Sequence, residues 1–136
     1  MKTYFHSSSI IFAIVALGAW LSRTLGWYND YWYADVILHT LSGIAFGILW
    51  MAIIQKNLPS SWFVFCIGVV SFAAFGSILW EFWEFAGWRL SPSHTQFYLG
   101  TLDDTLGDIL CGTVGGLLSA VGFLVTQPSV KKEITA

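Results

Sequence analysis

Three groups of ionisable residues stand in otherwise apolar surroundings. Asp35 and His39 are four apart where one apolar run begins. Glu81 and Glu84 are three apart near the end of another. Asp103, Asp104 and Asp108 open a last one. Carboxylates from two or three segments plus one imidazole form the kind of donor set that builds a metal site inside a helical bundle. Oxygen-rich ligands suit Mg, Ca or Mn, and adding His39 admits Zn or Fe. The candidate ligands for a divalent cation are Glu81, Glu84 and Asp108, with His39 and Asp104 assisting. An ion held there would polarise an oxygen or activate a bound water.

Each group also has a plainer use. Glu84 fits a helix end that emerges into water. Asp35-x3-His39 fits an i,i+4 pair at a helix start, helped by the dipole. Thr101-x2-Asp104 fits a variant capping box with Thr101 at the N-cap, and His94 fits a loop. Asp108, one turn further in and followed by glycines, is the residue such uses explain least. Asp103-Asp104-x3-Asp108 superficially resembles aspartate-rich motifs of membrane prenyl and phosphatidyl transferases, but the further motifs of those families are missing. GxSxG, HExxH, P-loop and CxxCH motifs are also missing. No lysine falls in an apolar run, which excludes a Schiff-base chromophore.

The elements that must position these groups follow from composition. Of 136 residues, 56% are hydrophobic and only 10% charged, with a mean hydropathy of +0.68. Soluble domains carry about 25% charged residues. The pattern excludes a disordered chain, a nucleic-acid binder and most soluble enzymes. It leaves an all-α polytopic membrane protein in contact with the lipid bilayer. A four-transmembrane-helix bundle forming a single domain over 1–136 is expected, with spans at about 8–25, 35–54, 62–87 and 102–125. The first run also has features of a signal peptide, with Lys2 before it and Ala16-Leu17-Gly18 as a cleavage site. The Trp20 and Arg23 that follow favour a retained span. Cys66 and Cys111 fall at different depths and are expected to stay free.

Lys2, Lys56, Lys131 and Lys132 fall on one side of such a bundle and Arg23 and Arg89 on the other. The positive-inside rule then puts both termini in the cytoplasm. Trp20, Trp27, Tyr28, Tyr31, Trp32 and Tyr33 form an outer aromatic belt. In this frame every ionisable group named above lies in the outer half. At 100° per residue, Asp35, His39 and Ser42 share a stripe, as do Ser77, Glu81 and Glu84. Asp104, Asp108, Gly112, Gly115, Ser119 and Gly122 share a third. Small residues mark helix contacts in membranes, so the carboxylates should face the interior. Gly43-x3-Gly47 and Gly112-x3-Gly116 should bring the second and fourth spans together. An uncompensated charge at mid-membrane costs at least about 2.5–3.5 kcal/mol. Arg23 and Arg89 are too few to neutralise the acidic set. A bound cation, shared protons or a water-filled pocket must do so.

Two stretches carry a resemblance. Leu38-His39-Thr40-Leu41-Ser42-Gly43 is one. The other joins Trp80-Glu81-Phe82-Trp83-Glu84 to Tyr98-Leu99-Gly100-Thr101-Leu102-Asp103-Asp104-Thr105-Leu106-Gly107-Asp108 and Gly115-Gly116. Over Leu38 to Gly116 the chain resembles the YjdF-like family of small bacterial inner-membrane proteins and, more distantly, VanZ-like proteins. The resemblance implies a multi-pass bacterial membrane protein with a polar cluster and assigns no reaction.

The leading expectation is therefore a divalent cation bound near the outer face, where an enzyme would use it on a lipid headgroup or another outer-leaflet substrate. One alternative is a proton- or ion-coupled transporter using the carboxylates as a relay. It would need a homodimer to widen the pathway and polar residues across the inner half, where Ser119 and Gly122 are the main candidates. Another is a non-catalytic assembly partner whose acidic residues pair with a basic helix of a protein partner.

Overall fold

Apolar runs of this length satisfy their backbone polar groups internally when they meet lipid, and helices do so within one segment. In the computed structural model, which describes residues 2–57, 59, 61–90 and 100–126, the regular structure is all helical. The long helices are α1 (Lys2–Leu25), α3 (Trp32–Ile54), α4 (Trp62–Leu90) and α5 (Leu102–Thr126), with a single turn, α2 (Trp27–Asp30), between the first two. All four long helices are long and apolar enough to cross a bilayer, which takes about 20 residues. Lys2–Leu25 begins well before the apolar run that marks it, because Thr3 to Ser9 continue the helix. Gly26 ends α1 with φ 74°, the left-handed conformation that closes many helices.

α3 is the centre of the fold. It packs against α1 on one side and against α4 and α5 on the other, while α4 and α5 also pack together. The α3–α5 crossing is made backbone to backbone. A Cβ added to Gly43 would overlap the Gly112 backbone, and one added to Gly115 would overlap the Thr40 carbonyl. Gly47 faces Ser119 of α5, but Gly116 turns to Ala73 of α4 rather than to α3. Gly122 meets nothing within 4 Å and is exposed, so it drops out of the contact stripe. Buried hydroxyls are satisfied locally. Ser42 donates to the His39 carbonyl at 2.8 Å, Ser77 to that of Ala73 at 3.1 Å and Ser119 to that of Gly116 at 2.7 Å. Ser8 instead donates across to the Ala45 carbonyl at 2.9 Å and ties α1 to α3.

At the end of the bundle where α1 begins and α5 ends, the buried core is apolar. Met51, Phe65, Val69 and Ala120 are buried there, with Trp50, Ile54, Cys66, Phe123 and Leu124 around them. Cys66 and Cys111 are both free. Trp20, Trp27, Tyr31, Trp32 and Tyr33 are exposed at the opposite end. The side chain of Tyr28 lies outside the described residues, as do His94, Tyr98, Leu99 and the two C-terminal lysines.

Candidate functional site

The opposite end is built from the last turns of α1 and α4 and the first turns of α3 and α5. Glu81 lies 19 residues after Trp62, the first residue of α4, which is about 29 Å along a helix of 1.5 Å rise. His39 and Asp108 lie two turns inside the starts of α3 and α5. All three reach a similar depth near one end, the depth sequence periodicity had implied.

His39 is the hub, 4% exposed. Its Nε2 lies 3.3 Å from Asp35 Oδ1, 3.8 Å from Asp108 Oδ2 and 3.9 Å from Glu81 Oε1. Three helices thus aim carboxylates at one ring nitrogen. The Asp35 contact is the i,i+4 pair of α3. The other two are longer than hydrogen bonds, so the carboxylates surround the nitrogen without all bonding it. His39 Nδ1 and Glu81 Oε1 are buried without a hydrogen-bond partner among the described residues. The edge of Trp80 packs on the ring, with centroids 6.4 Å apart.

Glu84 faces α1. Arg23 Nη2 donates to Glu84 Oε1 at 2.6 Å, and the guanidinium sits 5.0 Å from the centre of the Trp83 ring. Asp104 lies at the rim, where its backbone N–H donates to Thr101 Oγ1 at 3.3 Å. That bond is the N-cap expected of Thr101. Asp103 is exposed.

Two sets of potential ligand atoms result, each lying within 4.8 Å of one another: Asp35, His39 and Asp108, and His39, Glu81 and Glu84. Ligands held about 2.0–2.2 Å from an ion stand roughly 3–4 Å apart, so the spacing around His39 suits a mixed nitrogen and oxygen site. Glu81, Glu84, Asp108 and His39 all fall in these sets, and Asp104 lines the cavity beside them. From sequence Asp35 reads as a helix-start residue outside the ligand set. Its i,i+4 spacing from His39 was the signal that could have included it. In sequence Arg23 is an outer charge, and no spacing rule connects it to Glu84, 61 residues away.

A cavity of about 410 Å³ opens beside the cluster between α4 and α5. Its lining combines the carboxylates of Asp35, Glu81, Glu84, Asp104 and Asp108 with the apolar side chains of Ile78, Phe82, Phe85 and Ile109. A second cavity of about 290 Å³ lies across Asp35, Asp104 and Asp108, toward Trp32 and Cys111.

No curated protein and no solved structure matches the chain. A family model described as "Predicted membrane protein (DUF2238)" matches residues 2–128. The match is consistent with the YjdF-like resemblance and lends nothing to the VanZ-like one. With nearly its whole length covered, the chain belongs to this family of membrane proteins.

Proposed function

We propose that this protein binds a divalent cation at the polar end of its bundle. His39, Glu81, Glu84 and Asp108 are the ligand candidates from sequence, Asp104 assists at the rim, and Asp35 joins them. The observation that carries the proposal is the position of His39, shared by two sets of convergent ligand atoms from three helices. The unbonded Glu81 Oε1, 3.9 Å from His39 Nε2, supports it. A buried carboxylate oxygen without a donor is costly unless something cationic meets it. When bound, the ion supplies charge neutralisation and polarises an oxygen of a molecule in the adjoining cavity. A lipid headgroup or another outer-leaflet substrate would enter there. Arg23 holds Glu84, and the Asp35 contact orients the His39 ring. We further propose a bacterial inner-membrane location with both termini in the cytoplasm, on the four-to-two distribution of basic residues.

The test is metal content. Purified protein, stripped by chelator and offered Mg, Ca, Mn or Zn in turn, is expected to retain about one ion per chain. At a hundred times Kd that ion adds about 2.7 kcal/mol to stability. His39→Ala and Asp108→Asn should lose both uptake and stabilisation. A wild type that takes up none of the four ions and melts unchanged with each overturns the proposal. Reporter fusions after Pro59 and Ala136 should read cytoplasmic and one at Ser93 external. An external reading after Ala136 would overturn the orientation.

A further inference from the structure

A volume of about 410 Å³ is far more than an ion needs, and it falls within the 300–1,000 Å³ range of sites for organic ligands. Its lining mixes two chemistries. Five carboxylates border it, and Arg23 and His39 are the positive partners the described residues give them. The carboxylates outnumber those cations. Asp108 sharpens the point. It is 7% exposed and lines both cavities, and its carboxylate accepts no hydrogen bond from the described residues, since His39 at 3.8 Å is beyond hydrogen-bond reach. Arg89, a turn past Glu84, lies over Trp88 and does not line the cavity.

The apolar part of the lining reaches the outside of the bundle. Phe82 is 65% exposed and Phe85 49% exposed, so their rings border the cavity and the surroundings of the bundle together. An occupant that matches both kinds of lining is cationic at one end and apolar at the other.

We infer that the cavity between α4 and α5 binds an ammonium-bearing amphiphile, its nitrogen among Glu81, Glu84 and Asp108 and its chain leaving past Phe82 and Phe85 toward lipid. This names the substrate class for the proposed site without requiring the ion.

The experiment uses the full chain in a neutral maltoside detergent. Dodecylammonium and dodecyl phosphate, equal in chain and opposite in charge, are titrated while tryptophan fluorescence is followed, once with chelator and once with the best-retained ion. With chelator the ammonium compound is expected to bind saturably, at least about tenfold tighter than the phosphate, and the ion, which shares Glu81, Glu84 and Asp108 with the nitrogen, should weaken it by competition. Asp108→Asn should weaken it about tenfold. Ile109→Trp, which fills the apolar part and keeps every carboxylate, should weaken it equally while leaving metal uptake intact. Equal binding of the two probes, or ammonium binding unchanged in both variants, overturns the inference. Loss of metal uptake alone would count against the cation proposal and not against this one.

Discussion

The two ends of the bundle are held together by different means. At the end where α1 begins and α5 ends, Phe65 is fully buried against Val69, and its ring lies 5.2 Å from that of Phe123. At the other end Asp35, His39, Glu81 and Asp108 occupy equivalent interior positions, and cavities of about 410 and 290 Å³ open beside them. Between the two lies a waist where Gly43 meets Gly112 with no side chain between the backbones. Close packing at one end and an open, charged interior at the other is what a site facing one side requires. A relay across the bilayer would need polar groups to continue past the waist. Below it, the buried hydroxyls of Ser119 and Ser8 donate to backbone carbonyls at 2.7 and 2.9 Å, and the buried cluster beyond them is apolar. The contrast therefore counts against a through-path and favours a one-sided binding site.

The waist is where the comparison breaks most easily. Gly43→Ile would drive a branched side chain into the Gly112 backbone, which cannot rotate away as a flexible side chain could. Overpacking costs typically 1–3 kcal/mol in soluble cores, and here about 3 kcal/mol or more is expected because backbone must move. Both ends should fail together, as loss of folded protein in detergent and loss of metal uptake. A Gly43→Ile protein that unfolds at the wild-type temperature would show that the helices do not meet there.

Phe65→Ala separates the ends. It opens a cavity in the apolar end, far from His39. In water such a change costs about 3–5 kcal/mol. In lipid the loss should be smaller, since burial there gains packing but little transfer energy. Stability measured by denaturant titration should fall while affinity for the cation stays within about twofold, well under the 1.4 kcal/mol of a tenfold change. A larger affinity change would mean the ends are coupled through α4.

Arg23→Gln probes the polar end from the side. The pair with Glu84 is mostly but not wholly buried, with side chains 21% and 17% exposed. Leaving Glu84 without its guanidinium should cost about 1–3 kcal/mol, the penalty of a buried group deprived of its partner. Removing the charge as well, in Arg23→Gln with Glu84→Gln, should recover most of it. A double variant as unstable as the single one would place the loss in Arg23 packing on Trp83 rather than in the ion pair.

Much of this architecture is legible in residue periodicity. Four long apolar runs become four long helices, and the 100° phase of His39, Glu81 and Asp108 puts all three inside at similar depth. What periodicity cannot encode is which helix stands beside which. Arg23 meets Glu84 because α1 packs against α3 with its last turn reaching α4, a tertiary choice. Gly116 is half legible for a related reason. It lies about 40° from Gly112 around the helix, enough to turn it from α3 to Ala73 of α4. The stripe is wide enough to serve two neighbours, and a single-face reading assigns both glycines to one.

Gly115 and Gly122 give the smallest effects and the finest test of that stripe. Both belong to it by sequence phase. A Cβ on Gly115 would press on the Thr40 carbonyl and the Ile44 amide, whereas one on Gly122 meets nothing within 4 Å. Gly122 sits about 80° from Gly112 by helical phase, at the edge of the stripe, and near the helix end where the Thr126 hydroxyl donates to its carbonyl at 2.8 Å. Gly115→Ala should therefore destabilise, by about 1–3 kcal/mol from overpacking. Gly122→Ala should be neutral or stabilising by up to about 1 kcal/mol, since alanine lowers the entropy cost of ordering the helix and displaces nothing. Melting of the two variants side by side, under one detergent and one chelator condition, measures the difference. Equal destabilisation would mean that a second copy of the chain, or another helix, covers Gly122 in solution and that the stripe continues past α3.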